Sequence, residues 1–197
     1  MSTITTHIAN RAITRLLSDS NQRSASRTKS YLIFSTPRVG SNLLCKGLEI
    51  TEILGQPSEW FNKRIVTEID ARLKRKKFIL PNYIETIISK STSANGVFGV
   101  KVHIDQYIFW RKRNFDILQL GFDKIYYVER KDKIAQAFSL SKALLTDTWS
   151  KEEENHNSKK WHRIKPSHVA YRLAEICRNI EYFDKYLSKF VYRSFDY

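Results

Sequence analysis

The architecture of this chain is written most clearly in Tyr31-Leu32-Ile33-Phe34-Ser35-Thr36-Pro37-Arg38-Val39-Gly40-Ser41-Asn42-Leu43-Leu44. The first five residues form a short apolar run that stops at a turn containing Pro and Gly, the pattern of a buried strand. From Ser41 onward, Leu43, Leu44, Gly47 and Leu48 recur at helical spacing, so strand, tight turn and helix follow one another. A helix N-terminus behind such a turn presents unpaired backbone N–H groups and the positive end of the helix dipole to an anion. Ser41 and Asn42 add side-chain donors, Arg38 adds charge, and Gly40 permits close backbone approach. Taken locally, this reading and a plain strand-to-helix turn with Ser41 as N-cap stand about even. The turn lacks the two glycines and lysine of a Walker A loop and the G-x-G-x-x-G of a dinucleotide fold. A nucleotide triphosphatase and a Rossmann dinucleotide site are therefore disfavoured.

Further along, Val97–Val102 (entered through Asn95-Gly96), Lys124–Glu129 and Phe190–Phe195 read as strands. Ile134, Ala137, Phe138, Leu144 and Leu145 read as one helical face, and Leu173, Ile176, Cys177, Ile180, Phe183 and Leu187 as a longer amphipathic helix. Alternating units of this kind predict an α/β fold, a P-loop-like three-layer sandwich with a mainly parallel central sheet flanked by helices. Ligands then bind at the carboxyl ends of the strands.

With 42% hydrophobic and 13% aromatic residues among 197, the chain can bury a core, and global disorder is excluded. Six glycines exclude a collagen-like repeat. The net charge of +14 calls for an anionic partner without choosing among nucleic acid, a membrane surface and a phosphorylated small molecule. No apolar run reaches the roughly 18 residues of a membrane span. Cys45 and Cys177 sit in apolar helical patterns and read as buried free thiols, which fits a reducing, cytoplasmic setting, with a single disulfide between them the open alternative. Residues 1–28 read as a basic, flexible extension, and 29–197 as the α/β domain. The cationic run Arg72–Lys77 and the polar stretch Lys151–Lys160 read as solvated surface.

Four blocks in order carry a resemblance. Residues 31–44 resemble the 5′-phosphosulfate loop of sulfotransferases that use 3′-phosphoadenosine 5′-phosphosulfate (PAPS), with the trehalose 2-sulfotransferase family the nearest match. Gly55-Gln56-Pro57-Ser58-Glu59-Trp60-Phe61 resembles that family's G-x-P-x-E-aromatic-Phe motif. Residues 95–103, Asn-Gly-Val-Phe-Gly-Val-Lys-Val-His, resemble its N-G-V-aromatic-G-x-K segment. Residues 128–139, from Val128 to Ser139, resemble its 3′-phosphate motif.

The resemblance implies a PAPS-dependent sulfotransferase that acts without a metal on a hydroxyl of a carbohydrate or glycolipid. It implies that Arg38, Val39, Gly40, Ser41 and Asn42 hold the 5′-phosphosulfate, and that Arg130 and Ser139 hold the 3′-phosphate. Glu59 matches the general base, Lys101 and His103 stand at the ligand edge as catalytic candidates, and Trp60 and Phe61 are candidates for stacking on a sugar ring. Where the family carries a loop Ser, a Trp and a Gln, this chain has Val39, Ser141 and Leu145, and Lys131 adds a cation beside Arg130. The family continues past its last strand in a polar tail that helps cover the donor, so residues 29–197 are expected to lack that tail. Two other readings stay open: a non-catalytic relative that binds adenosine 3′,5′-bisphosphate or another phosphorylated ligand, and, ranked last, a nucleic-acid-binding protein. A homodimer is also left open.

Overall fold

In the computed structural model, which describes residues 26–72, 79–149 and 158–196, four strands form one all-parallel sheet. Strand β1 (Lys29–Ser35) is its spine. Leu32 and Phe34 point to one face and Ile33 to the other, all out of water, which is why the run is apolar without alternation. On one side β1 pairs with β2 (Val97–His103), setting Ile33 opposite Lys101 and Ser35 opposite His103. On the other it pairs with β3 (Lys124–Glu129), and β4 (Arg193–Asp196) adds to the outer edge of β3. The order β2-β1-β3-β4 sends the chain first to one side of β1 and then across to the other. The topological switch point therefore lies between β1 and β3, and in sheets of this kind ligands bind at the carboxyl ends of the strands beside it.

Among the described residues six α-helices flank the sheet: α1 (Ser41–Ile50), α2 (Lys63–Arg72), α3 (Leu80–Ser91), α4 (Ile104–Arg111), α5 (Lys133–Thr146) and α6 (Pro166–Tyr186). The main core joins Leu32, Phe34, Phe98, Val100 and Tyr127 of the sheet to Ile69 of α2, Ile87 of α3, Tyr107 of α4 and Phe183 of α6. Phe183 lies flat on Tyr127, with ring centroids 3.7 Å apart, and meets Phe34 edge-on. On the opposite face α1 packs Cys45 and Leu48 on Ile33, Val39 and Val128. Burial pushes the Cys45 thiol up to about 11, so it is a packing residue. No helix among the described residues is long and apolar enough to cross a membrane.

Several expectations change. Ser41 is not the N-cap of α1; Gly40 is, with φ 79°, and no side chain caps the helix. Of the expected apolar face of α5 only Ala137 is buried; Ile134 (67% exposed), Phe138 (43%), Leu144 and Leu145 point outward, and Leu140 and Ala143 are buried in their place. Small residues let α5 approach α6 closely around Ile176, so the helix buries its narrow side. Cys177 is exposed; both cysteines are free. The last strand is shorter than expected, because Ser188–Phe190 form a 3₁₀ turn before it. Ahead of β1, Thr28 donates its N–H to the Gly96 carbonyl, and Arg27 bonds the Leu120 carbonyl at 2.7 Å and lies over Phe122. Residues 1–25 of the basic extension, 73–77 of the cationic run and 151–157 of the polar stretch lie outside the described residues.

Candidate active site

The turn between β1 and α1 is held from three directions. Val39 is fully buried against Ile33, Cys45 and Val128, so its side chain roots the turn and only its backbone remains for a ligand. Gln136, buried on α5, donates through Nε2 to the Thr36 hydroxyl at 2.8 Å and to the Pro37 carbonyl at 2.7 Å. A carbonyl only accepts, so this pair fixes which end of the amide faces the turn. Arg38, itself left-handed with φ 68°, donates from Nε to Ser139 Oγ at 3.0 Å and from Nη1 to the Trp149 carbonyl at 2.6 Å. Two candidates read from separate blocks, Arg38 and Ser139, thus meet. Arg130 follows β3 at the same edge of the sheet, half-buried.

The second half of the site is built around Glu59. Gly55 begins its segment with φ +71°, and a Cβ there would lie 2.6 Å from the Val97 carbonyl, so glycine is required. The Ser58 carbonyl accepts from the Lys101 N–H at 3.0 Å, tying the segment to β2. Trp60 and Phe61 are 1% and 0% exposed, and neither turns a ring face toward the cleft. Their aromatic bulk goes into the core instead. The Trp60 carbonyl accepts from the Tyr83 hydroxyl and the Phe61 carbonyl from the Trp110 indole at 2.7 Å, which pins the backbone that directly follows Glu59. The structure therefore gives these two a supporting place rather than the expected stacking role.

Four donors converge on the Glu59 carboxylate. Lys101 Nζ lies 2.7 Å and His103 Nε2 3.2 Å from Oε1. Asn62 Nδ2 and Gln106 Nε2 donate to Oε2 at 2.9 and 2.8 Å. Lys101, only 1% exposed, also donates to Asn42 Oδ1 in the first turn of α1, directly behind the β1–α1 turn. A carboxylate only accepts, so His103 carries a proton on Nε2, and its Nδ1 is hydrogen-bonded with Ser35 Oγ at 2.9 Å. The sheet register makes that contact, since Ser35 and His103 are paired residues. Burial works to raise the Glu59 carboxyl, but the charges of Lys101 and His103 and the hydrogen bonds they make outweigh it and hold the group well below the usual carboxylate range.

Sequence reading had singled out Glu59, Lys101, His103 and Asn42 separately; the fold makes them one network. It had passed over Asn62, Gln106, Ser35 and Gln136. Asn62 directly precedes α2, and its Oδ1 accepts the Arg64 N–H at 3.0 Å, an N-cap arrangement the residue type could have signalled. Gln106 stands three residues after His103, the N-cap of α4, at the glutamine position of a capping box.

An anion suits the turn. The uncapped first turn of α1, the left-handed Gly40, the hydroxyl and amide of Ser41 and Asn42, and the buried ammonium of Lys101 all favour negative charge at one place. Beside it stand a carboxylate and an imidazole able to handle a proton. A family model described as Stf0 sulphotransferase matches residues 30–190, which takes in the sheet through β3, all six helices and every residue of this site. No curated protein matches the chain.

Proposed function

Because the chain belongs to the Stf0 sulphotransferase family, we propose that it moves a sulfuryl group from PAPS to a hydroxyl of a carbohydrate or glycolipid by in-line displacement, with Glu59 as the general base. One observation carries this reading. Glu59, Lys101 and Asn42 form a continuous hydrogen-bonded chain, so a carboxylate, a buried cation and the anion-binding turn converge.

Bound PAPS supplies the sulfuryl group, whose bond to the phosphate oxygen breaks, the electron pair leaving on the phosphate, as the new S–O bond to the acceptor forms. Gly40, Ser41, Asn42 and the Val39 backbone hold the 5′ end. Arg38 and Ser139, already joined at 3.0 Å, serve the nucleotide's phosphates together with Arg130. Lys101 offers a desolvated positive charge to developing negative charge, where such a group is worth most. As Lys101 turns toward that charge, Oε1 of Glu59 loses the partner that most lowers its proton affinity. The carboxylate becomes a better base when the acceptor hydroxyl must give up its proton. His103, backed by Ser35, remains to steady it. The carbohydrate or glycolipid acceptor rests on the sequence resemblance.

Replacing Glu59 by Gln is expected to lower turnover by about a hundredfold or more. Adenosine 3′,5′-bisphosphate should still bind, as read by calorimetry. Undiminished turnover removes Glu59 from the role. Equal affinity for adenosine 5′-monophosphate removes the 3′-phosphate clamp. Tight bisphosphate binding without labelled sulfate transfer to any sugar favours a non-catalytic relative.

A further inference from the structure

We infer that Asn62 and Gln106 are positioning residues that grip Glu59 by Oε2 and leave Oε1 as the oxygen that receives the acceptor's proton. The inference deepens the proposed function and rests on its reading of Glu59 as the base.

Each amide fits in one orientation only. Gln106 Oε1 accepts the His103 backbone N–H at 3.2 Å while its Nε2 donates to Glu59 Oε2. Asn62 Oδ1 accepts the Arg64 N–H at 3.0 Å while its Nδ2 donates to the same oxygen. Turning either amide end for end would set its carbonyl against a carboxylate and its NH₂ against a backbone N–H. The two grips come from the N-terminal ends of two helices, α2 and α4, which are anchored through the core. Oε2 is therefore tied to rigid elements by donors that carry no net charge and have no reason to follow an incoming anion.

Oε1 is different. Its partners are an ammonium on a flexible stem, already shared with Asn42 of the anion-binding turn, and an imidazole. Departure of Lys101 opens a lone pair on Oε1 while both Oε2 bonds keep the carboxyl plane fixed. The proton leaving the acceptor hydroxyl goes to that lone pair as the new S–O bond forms. A base held this way meets the requirement that the proton acceptor be in place before the reaction, within hydrogen-bond reach.

Two variants test this. Gln106→Met keeps the volume and removes the amide. Asn62→Ser keeps an N-cap oxygen for the Arg64 N–H but is too short to reach Glu59. The Glu59 carboxyl is titrated in ligand-free protein by ¹³C NMR with labelled glutamate, its signal assigned by its loss in Glu59→Gln. In each variant the titration midpoint should rise by about one pH unit. In sulfuryl transfer, kcat should fall about tenfold or more with KM for PAPS unchanged, and the acid limb of the rate profile should move up with the midpoint. If Gln106→Met fails to fold, Asn62→Ser decides alone. An unmoved midpoint overturns the inference, as does a raised midpoint with wild-type kcat. Undiminished turnover in Glu59→Gln is a separate result, which overturns the base reading while the titration still reports on the grip.

Discussion

Lys101 sets the energetic stakes at single residues. The residue is 1% exposed, and Glu59 is the charge that justifies its ammonium there. Removing one partner of such a pair leaves an uncompensated buried charge, at a cost of about 3–5 kcal/mol. Glu59→Gln should therefore lower stability as well as turnover, and Lys101→Met added to it should restore much of the loss in a urea titration. The pair also ties stability to pH. The folded state holds the Glu59 carboxyl below its ordinary value, so its contribution is full above that value, about 4.3. The contribution is lost as pH falls through the lowered folded value. Melts between about pH 7 and pH 3 should show the wild type losing stability on the acid side more steeply than Glu59→Gln. Equal slopes would remove the carboxyl from the balance. Any activity assay of Glu59→Gln belongs well below its own melting temperature.

Among the elements, α5 separates what periodicity reveals from what it hides. Its apolar residues marked a helix correctly, yet Ile134, Phe138 and Leu144 face outward, and Ala137 and Leu140 pack on Ile176 of α6. Ile134→Glu should change stability by no more than about 0.5 kcal/mol, whereas Ala137→Leu should cost about 1–3 kcal/mol by overpacking the contact with α6. Denaturant midpoints of the two variants check this, and the reverse ranking would restore the outward face to the core. The parallel strands were legible for the opposite reason: the middle of each is largely covered on both sides, so runs such as Leu32–Phe34, Val97–Val100 and Ile125–Val128 are continuous in apolar and aromatic residues. Glu59, Lys101 and Asn42 were legible one at a time because each lies in a motif. Their union was not, because it depends on the register that sets Ile33 beside Lys101 and on the hydrogen bond from the Lys101 N–H to Ser58. Asn62 and Gln106 were missed because short polar residues at helix starts look like ordinary caps. Trp60 and Phe61 were misplaced because an aromatic pair beside a catalytic-looking acid reads equally well as ligand platform or as core.

Across the whole molecule, order is graded from the centre of the sheet to its edge. β1 is bonded on both sides and covered on both faces, while all four residues of β4 are exposed on the outer edge. Amide exchange followed by mass spectrometry should find β1 the slowest strand and β4 the fastest; equal rates would mean that the sheet opens only as a unit. The central place of β1 has a consequence for synthesis. Ser35 meets His103 across 68 residues of chain, and Ser30 meets Asp123 across 93. Of the four described strands, the one made first thus emerges from the ribosome before any of its sheet neighbours exists. It waits for β2 and then β3 before its backbone is paired, a high-contact-order assembly that is slow to close. Until then Ile33, Phe34 and Leu32 are offered to whatever apolar surface is near. Expression yield should therefore depend on chaperone supply during translation more than on the stability of the finished fold.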